Sequence, residues 1–204
     1  MCILYADIFT ISIKNSLFSE FPDYLKPICS LSFTIFLWGT AIAFLLCILK
    51  SKTYLNLFSK AGGGLSQSNT VLCVVIVLCM TAVMWIINGS FKPLKELHWF
   101  LGFGNMAGWT GFVLQNTYYV LEMLLALMIV HYGQIAGELL TLKRNIPWGS
   151  VLLSLAWGLP HIFTKNLSVG LFSLVFGLAL GALYMLTGRN GRKALLYMSL
   201  AFIL

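Results

Sequence analysis

Hydrophobic positions in this chain fall into long runs rather than an alternation, and polar residues collect in the short stretches between them. The runs cover 28–49, 69–89, 112–138, 148–164, 168–187 and 193–204. A helix rises about 1.5 Å per residue, so about 20 apolar residues cross a hydrocarbon core of about 30 Å. The pattern therefore predicts an all-α integral membrane protein of about six transmembrane helices, with 1–204 as a single polytopic domain. The last run is short, and the third is long enough to tilt or to project beyond the bilayer. Residues 1–25 read as an N-terminal interfacial helix with Phe18, Phe21 and Tyr24 as aromatic anchors. The stretch 90–111 predicts a short interfacial helix followed by a flexible loop, because Gly102, Gly104 and Gly108 weaken its second half.

Composition sharpens this reading. Hydrophobic residues make up 59% of the 204 and charged residues 9%, and the mean hydropathy is +0.90. A soluble domain covers its surface with roughly 25% charged residues, so most of this surface must face lipid. The net charge of +7 does not indicate nucleic acid, because the cations sit at the ends of the apolar runs and not in a patch interleaved with aromatics. Alternate loops hold Lys50, Lys52 and Lys60, then Lys143 and Arg144, then Arg189, Arg192 and Lys193, with only Glu138 bordering them. The opposite side holds Lys14, Lys26, Lys92, Lys95 and Lys165 against Asp7, Glu20, Asp23 and Glu96. Since cytoplasmic loops carry the excess of Lys and Arg, this places a multi-pass chain in the cell membrane with both termini on the non-cytoplasmic side.

Several chemistries are excluded. Cys2, Cys29, Cys47, Cys73 and Cys79 show no C-x-x-C spacing, and the four inside apolar runs read as small hydrophobes. No H-E-x-x-H, no Walker loop and no close Cys/His set occurs, so neither a metal nor a cofactor is expected. Asp7 interrupts the first apolar stretch and no basic segment precedes it, so a cleavable signal peptide is not expected.

The informative positions are ionisable residues inside the runs, since each costs roughly 2.5–3.5 kcal/mol on insertion scales and needs a partner or a function. Glu122 lies near the middle of the third run, on one helical face with Gln115 and Tyr119. His131, Gln134 and Glu138 share another face, nearer the cytoplasm, and form a candidate second polar site in which His131 snorkels or bonds to Gln134. His161 closes the fourth run directly after Pro160, whose missing donor predicts a kink. His98 reads as an interfacial residue. A carboxylate and an imidazole in a partly dry pocket can move a proton, so Glu122 and His161 are the candidate pair. The same residues could equally serve as hydrogen bonds between helices. Ser173, Gly177 and Gly181 follow at four-residue spacing, a pattern for close packing within a bundle or for a seam with a second copy.

Over 112–204 the chain resembles the CPBP family of CAAX proteases and bacteriocin-processing or immunity proteins. The run PWGSVLLSLAWGLPH is similar to the second motif of that family, F-x-x-x-H, with Trp157 and His161 in its two positions. The glycine-rich GLFSLVFGLALGALYMLTGRN is similar to the helix that follows. The resemblance implies a glutamate and a histidine that activate water to cut a peptide bond within the membrane, without a metal. Carried over, Glu122 is the general base and His161 assists it or stabilises the oxyanion. Met123 stands where the first motif has a second acid, and Tyr197 and Ala201 stand where the third has its histidine and asparagine. Tyr197 or Asn116 would then have to supply the missing donors, so the resemblance implies slow or lost hydrolysis. The expected partners are membrane lipid and a membrane protein or peptide substrate, with an oligomer through Gly177 and Gly181 as an option. Two other functions fit the sequence: a non-catalytic scaffold that holds a membrane protein, and a small transporter using Glu122 and His161 as a proton relay.

Overall fold

The computed structural model describes residues 20–50, 57–58, 66–164 and 166–204. Among the described residues it is helical, with no strand. The elements are α1 (Lys26–Lys50), α2 (Gln67–Asn88), α3 (Lys92–Leu101), α4 (Asn105–Thr141), α5 (Trp148–Leu153), a π-helical turn (Ser154–Gly158), α6 (Leu159–Thr164), α7 (Leu167–Leu186) and α8 (Gly191–Ile203). Of the expected interfacial helix over 1–25, residues 1–19, and Phe18 with them, lie outside the described residues, while Phe21 and Tyr24 are exposed.

Every apolar run is helical, but the runs are not equivalent. Four helices are long and apolar enough to cross a membrane, namely Lys26–Ile48 within α1, α2, α4 and α7. The apolar stretch Trp148–Phe163 is shorter, and the 13 residues of α8 reach only about 20 Å. Length alone therefore supports four crossings where the sequence pattern predicts about six.

The loop expected over 102–111 is a correction. A turn at Gly104, whose φ of +97° favours glycine, leads straight into α4, which begins at Asn105. Gly108 and Gly111 do not loosen the chain. A Cβ at Gly108 would lie 2.8 Å from the Leu101 Cα, and one at Gly111 would overlap the Phe100 ring. Here the glycines let two helices approach each other.

The chain forms two compact units. The first comprises the described parts of Met1–Ile48, Ala82–Glu122 and Ile203–Leu204, and the second those of Leu49–Thr81 and Met123–Phe202. Helix α4 contributes its first half to one and its second half to the other. In the first unit Trp38 packs against Tyr118 at a centroid distance of 5.5 Å, and Phe100 is buried beneath Trp99. In the second, α7 packs along α5, the π turn and α6 through its small residues. A Cβ at Gly177 would come within 2.9 Å of the Ser154 Cα, and one at Gly181 would overlap Ser150. The buried residues of α8 are Gly191, Ala194, Met198 and Ala201, a stripe at helical spacing whose first member lies against the Leu57 carbonyl. Asn166 caps α7 by accepting from the Val169 N–H at 2.9 Å, and Asn190 caps α8 by accepting from the Lys193 N–H at 3.2 Å.

Candidate functional site

His161 sits in α6, one residue after Pro160 and just beyond the π turn. Proline withdraws a backbone donor, and the helix accommodates this by widening over Ser154–Gly158. The Ser154 hydroxyl, at the start of the π turn, ties it to α7 by donating to the Leu174 carbonyl at 2.9 Å. The half-buried His161 ring places Nδ1 2.7 Å from the Trp157 carbonyl. A carbonyl can only accept, so Nδ1 carries the proton, and in the neutral ring Nε2 keeps its lone pair. Trp157 meets the same ring edge-on at 5.9 Å and is itself seated against Phe176 and Phe202.

Glu122 belongs to the first unit, half-buried on α4. Its neighbourhood is polar. Tyr119 donates to Glu96 Oε1 at 2.5 Å and also bonds with Gln115, while the Lys92 Nζ lies 4.1 Å from the centre of the Tyr119 ring. Burial pulls the Lys92 ammonium below its usual pKa, and the nearby charges of Glu96 and Glu122 oppose that shift. The face that the sequence assigned to Gln115, Tyr119 and Glu122 thus carries an amine and a second carboxylate from α3.

The second polar site takes a form the sequence did not predict. His131 is buried, and its Nδ1 lies 2.8 Å from the Tyr184 hydroxyl on α7. Gln134, also buried, donates to Glu138 Oε1 at 2.7 Å and to the Ile146 carbonyl at 3.0 Å, and accepts from the Gly149 N–H at 3.1 Å. Glu138 in turn accepts two bonds from Arg189, at 2.6 and 3.2 Å. Arg189 reaches it from a left-handed backbone, φ 61°, directly after Gly188 at φ 64°. Gln134 and Glu138 therefore pin two separate turns, 142–147 and 187–190, onto one stretch of α4.

The remaining predicted residues are placed as follows. Asn116 is half-buried on α4 and donates to the Phe112 carbonyl of its own helix at 2.8 Å. Six residues separate it from Glu122, about 240° around the helix, so the two do not share a face. Tyr197 is half-buried on α8 in the second unit, as His161 is on α6. Gly177 and Gly181 are buried against Ser154 and Ser150. His98 is exposed on α3. Among the described residues no group of three His, Cys, Asp or Glu is placed to hold a metal. The described cysteines, Cys29, Cys47, Cys73 and Cys79, are free.

Sequence reasoning missed Lys92 and Glu96 as neighbours of Glu122, although their i, i+4 spacing at the start of an amphipathic helix was a signal. It also missed Tyr184 and Arg189 as partners of His131 and Glu138, for which no local signal exists, since 53 and 51 residues separate the pairs. No family model, no curated protein and no solved structure matches the chain.

Proposed function

We propose that this is a multi-pass membrane protein of CPBP-like character, in which His161 and Glu122 act on a peptide bond of a membrane-embedded substrate at low rate. The observation that carries the reading is the state of His161. Its Nδ1 is fixed on the Trp157 carbonyl, so Nε2 can accept a proton from water, and the π turn with Pro160 is the kind of helix irregularity that accompanies working sites. Glu122 would hold the second proton position. In this reading Tyr197 or Asn116 would have to supply the oxyanion donor, although the Asn116 amide already donates to the Phe112 carbonyl, and loss of one such donor typically slows a reaction by about 10²–10³. In this reading the shorter helices, α5 with α6 and α8, complete six spans, and both termini lie outside the cytoplasm.

A second reading, a non-catalytic scaffold with the same fold, is favoured by a different observation. Acids that could serve as a base are already engaged: Glu96 by Tyr119, Glu138 by Gln134 and Arg189, and Glu122 by the charge of Lys92. A carboxylate held by a cation is a poor base. One experiment separates the two. Glu122→Gln and His161→Ala, confirmed as folded, are compared with wild type in cells that carry the natural substrate or partner. Loss of cleavage in both establishes the peptidase. Full activity in both, with loss of partner co-purification on substitution of surface residues, establishes the scaffold. The orientation is tested by cysteine labelling at Lys60 and Lys95, which should report opposite faces. Labelling of both from one face overturns the topology.

A further inference from the structure

The second unit collects cations at one end by a mechanism that does not depend on their sequence proximity. Lys143 and Arg144 lie in the turn after α4, and Arg192 and Lys193 lie in the first turn of α8. Each turn is fastened to α4 by a buried or half-buried side chain. Gln134 holds the first through the Ile146 carbonyl and the Gly149 N–H. Glu138 holds the second through Arg189. The indole of Trp148 adds a bond to the Lys143 carbonyl at 3.2 Å, and Arg144 is within electrostatic reach of Glu138. Arg189 spends its charge on Glu138. Lys143, Arg144, Arg192 and Lys193 form no salt bridge with a carboxylate among the described residues. Lys143, Arg144 and Arg192 are exposed and Lys193 half-exposed.

Apolar side chains border these cations. Leu139, Leu140 and Leu142 are 71%, 85% and 87% exposed, and Leu196, one turn into α8, is 59% exposed. Such side chains are stable beside acyl chains, which sets the cations at the depth of the headgroups. A free phosphate would need no such leucines, and a soluble acidic protein would leave them wet.

We propose that Lys143, Arg144, Arg192 and Lys193 form a binding site for the phosphate of an anionic lipid headgroup, with the flanking leucines against its acyl chains. The site rests on the span assignment and not on the peptidase reading. Cations at a bilayer surface each contribute about fivefold to the affinity for anionic lipid. The Gln134 and Glu138 fastenings hold both cationic turns against the same stretch of α4.

The test uses the full chain reconstituted in phosphatidylcholine vesicles with and without phosphatidylglycerol, and measures lipid retained after extraction into detergent. Wild type should retain phosphatidylglycerol over phosphatidylcholine. A Lys143→Gln, Arg144→Gln, Arg192→Gln, Lys193→Gln variant should lose that preference by at least tenfold, while Lys95→Gln keeps it. The charge-preserving Lys143→Arg, Lys193→Arg variant should also keep it, which guards against a folding defect. Equal preference in wild type and the four-residue variant overturns the proposal. So does displacement of the lipid by inorganic phosphate at matched ionic strength, which assigns the site to a soluble anion. A chain that fails to enter phosphatidylcholine vesicles at all overturns the span assignment instead.

Discussion

Helices α2 and α7 are both long and apolar enough to cross a membrane, yet 11% of the apolar window of α2 is buried in the protein against 44% of that of α7. Hydrophobicity does not separate them. What differs is the placement of small residues. Helix α7 carries Gly170, Ser173, Gly177 and Gly181 on one side, all buried, whereas α2 buries only Cys73 and Val77 among bulky valines, isoleucines and leucines. Lipid is as apolar as leucine, so in a bilayer a helix is drawn to its neighbours by close approach and hydrogen bonds, not by being greasy. The lesson is that α2 leaves most of its apolar side chains uncovered by the protein, while α7 presents its backbone to α5 and the π turn.

The largest expected break in this contrast is Gly181→Leu. Its side chain must displace Ser150, an overpacking that costs about 3 kcal/mol, and the melting temperature of the detergent-solubilised protein should fall accordingly. Val75→Leu on α2, which is 46% exposed, should change stability by less than about 0.5 kcal/mol in the same assay. An equal loss in both would erase the distinction.

Next in size is Glu138→Ala, which leaves Arg189 and Gln134 without their shared acceptor and should cost about 2 kcal/mol. A double-mutant cycle with Arg189→Ala measures the coupling directly, and additive losses would mean that the pin between α4 and the α7–α8 turn is not formed. Ser154→Ala removes the hydroxyl bond to the Leu174 carbonyl and should cost about 1 kcal/mol. Thr40→Ala on exposed α1, where the hydroxyl bonds only to its own helix, is the matching control and should be nearly silent.

The smallest effect is a pH dependence in the first unit, outside the spans. Burial lowers the pKa of Lys92 below its ordinary 10.5, so the unfolded chain binds the proton more tightly than the folded one. Over the window between the depressed folded value and the ordinary value, stability should therefore fall less or rise more with pH in wild type than in Lys92→Met, and this difference isolates the amine from other groups that titrate there. Equal slopes in the two proteins, measured by chemical denaturation, would contradict the burial of the amine.

How much of this was legible in the sequence depends on the range of the interaction. The positions of α1, α2, α7 and α8 follow from local hydropathy, and the π turn has a local cause in Pro160. The helical start of α4 was hidden because Gly104 and Gly108 read locally as flexible, when the meaning of Gly108 lies in its contacts with Leu101 and Phe100. The bond of His131 to Tyr184 and that of Glu138 to Arg189 cross from one helix to another, so no periodicity on a single helix announces them. Glu122 and His161 were visible as costly polar residues, but the lysine and glutamate that surround Glu122 come from α3.

The π turn before His161 carries one further consequence, for how this chain tolerates changes in length. A π turn is an α-helix that holds one residue more than its register requires. Loss of a residue such as Ala156 would let the turn close into ordinary α-helix while Trp148–Leu153 and Leu159–Thr164 keep their angular phase, so His161 would still point the same way. The same loss within α7 would rotate everything beyond it and drive Gly181 away from Ser150. The segment that carries the candidate histidine is thus a slack point in the chain, where deletion is absorbed locally, set beside a helix in which it is not.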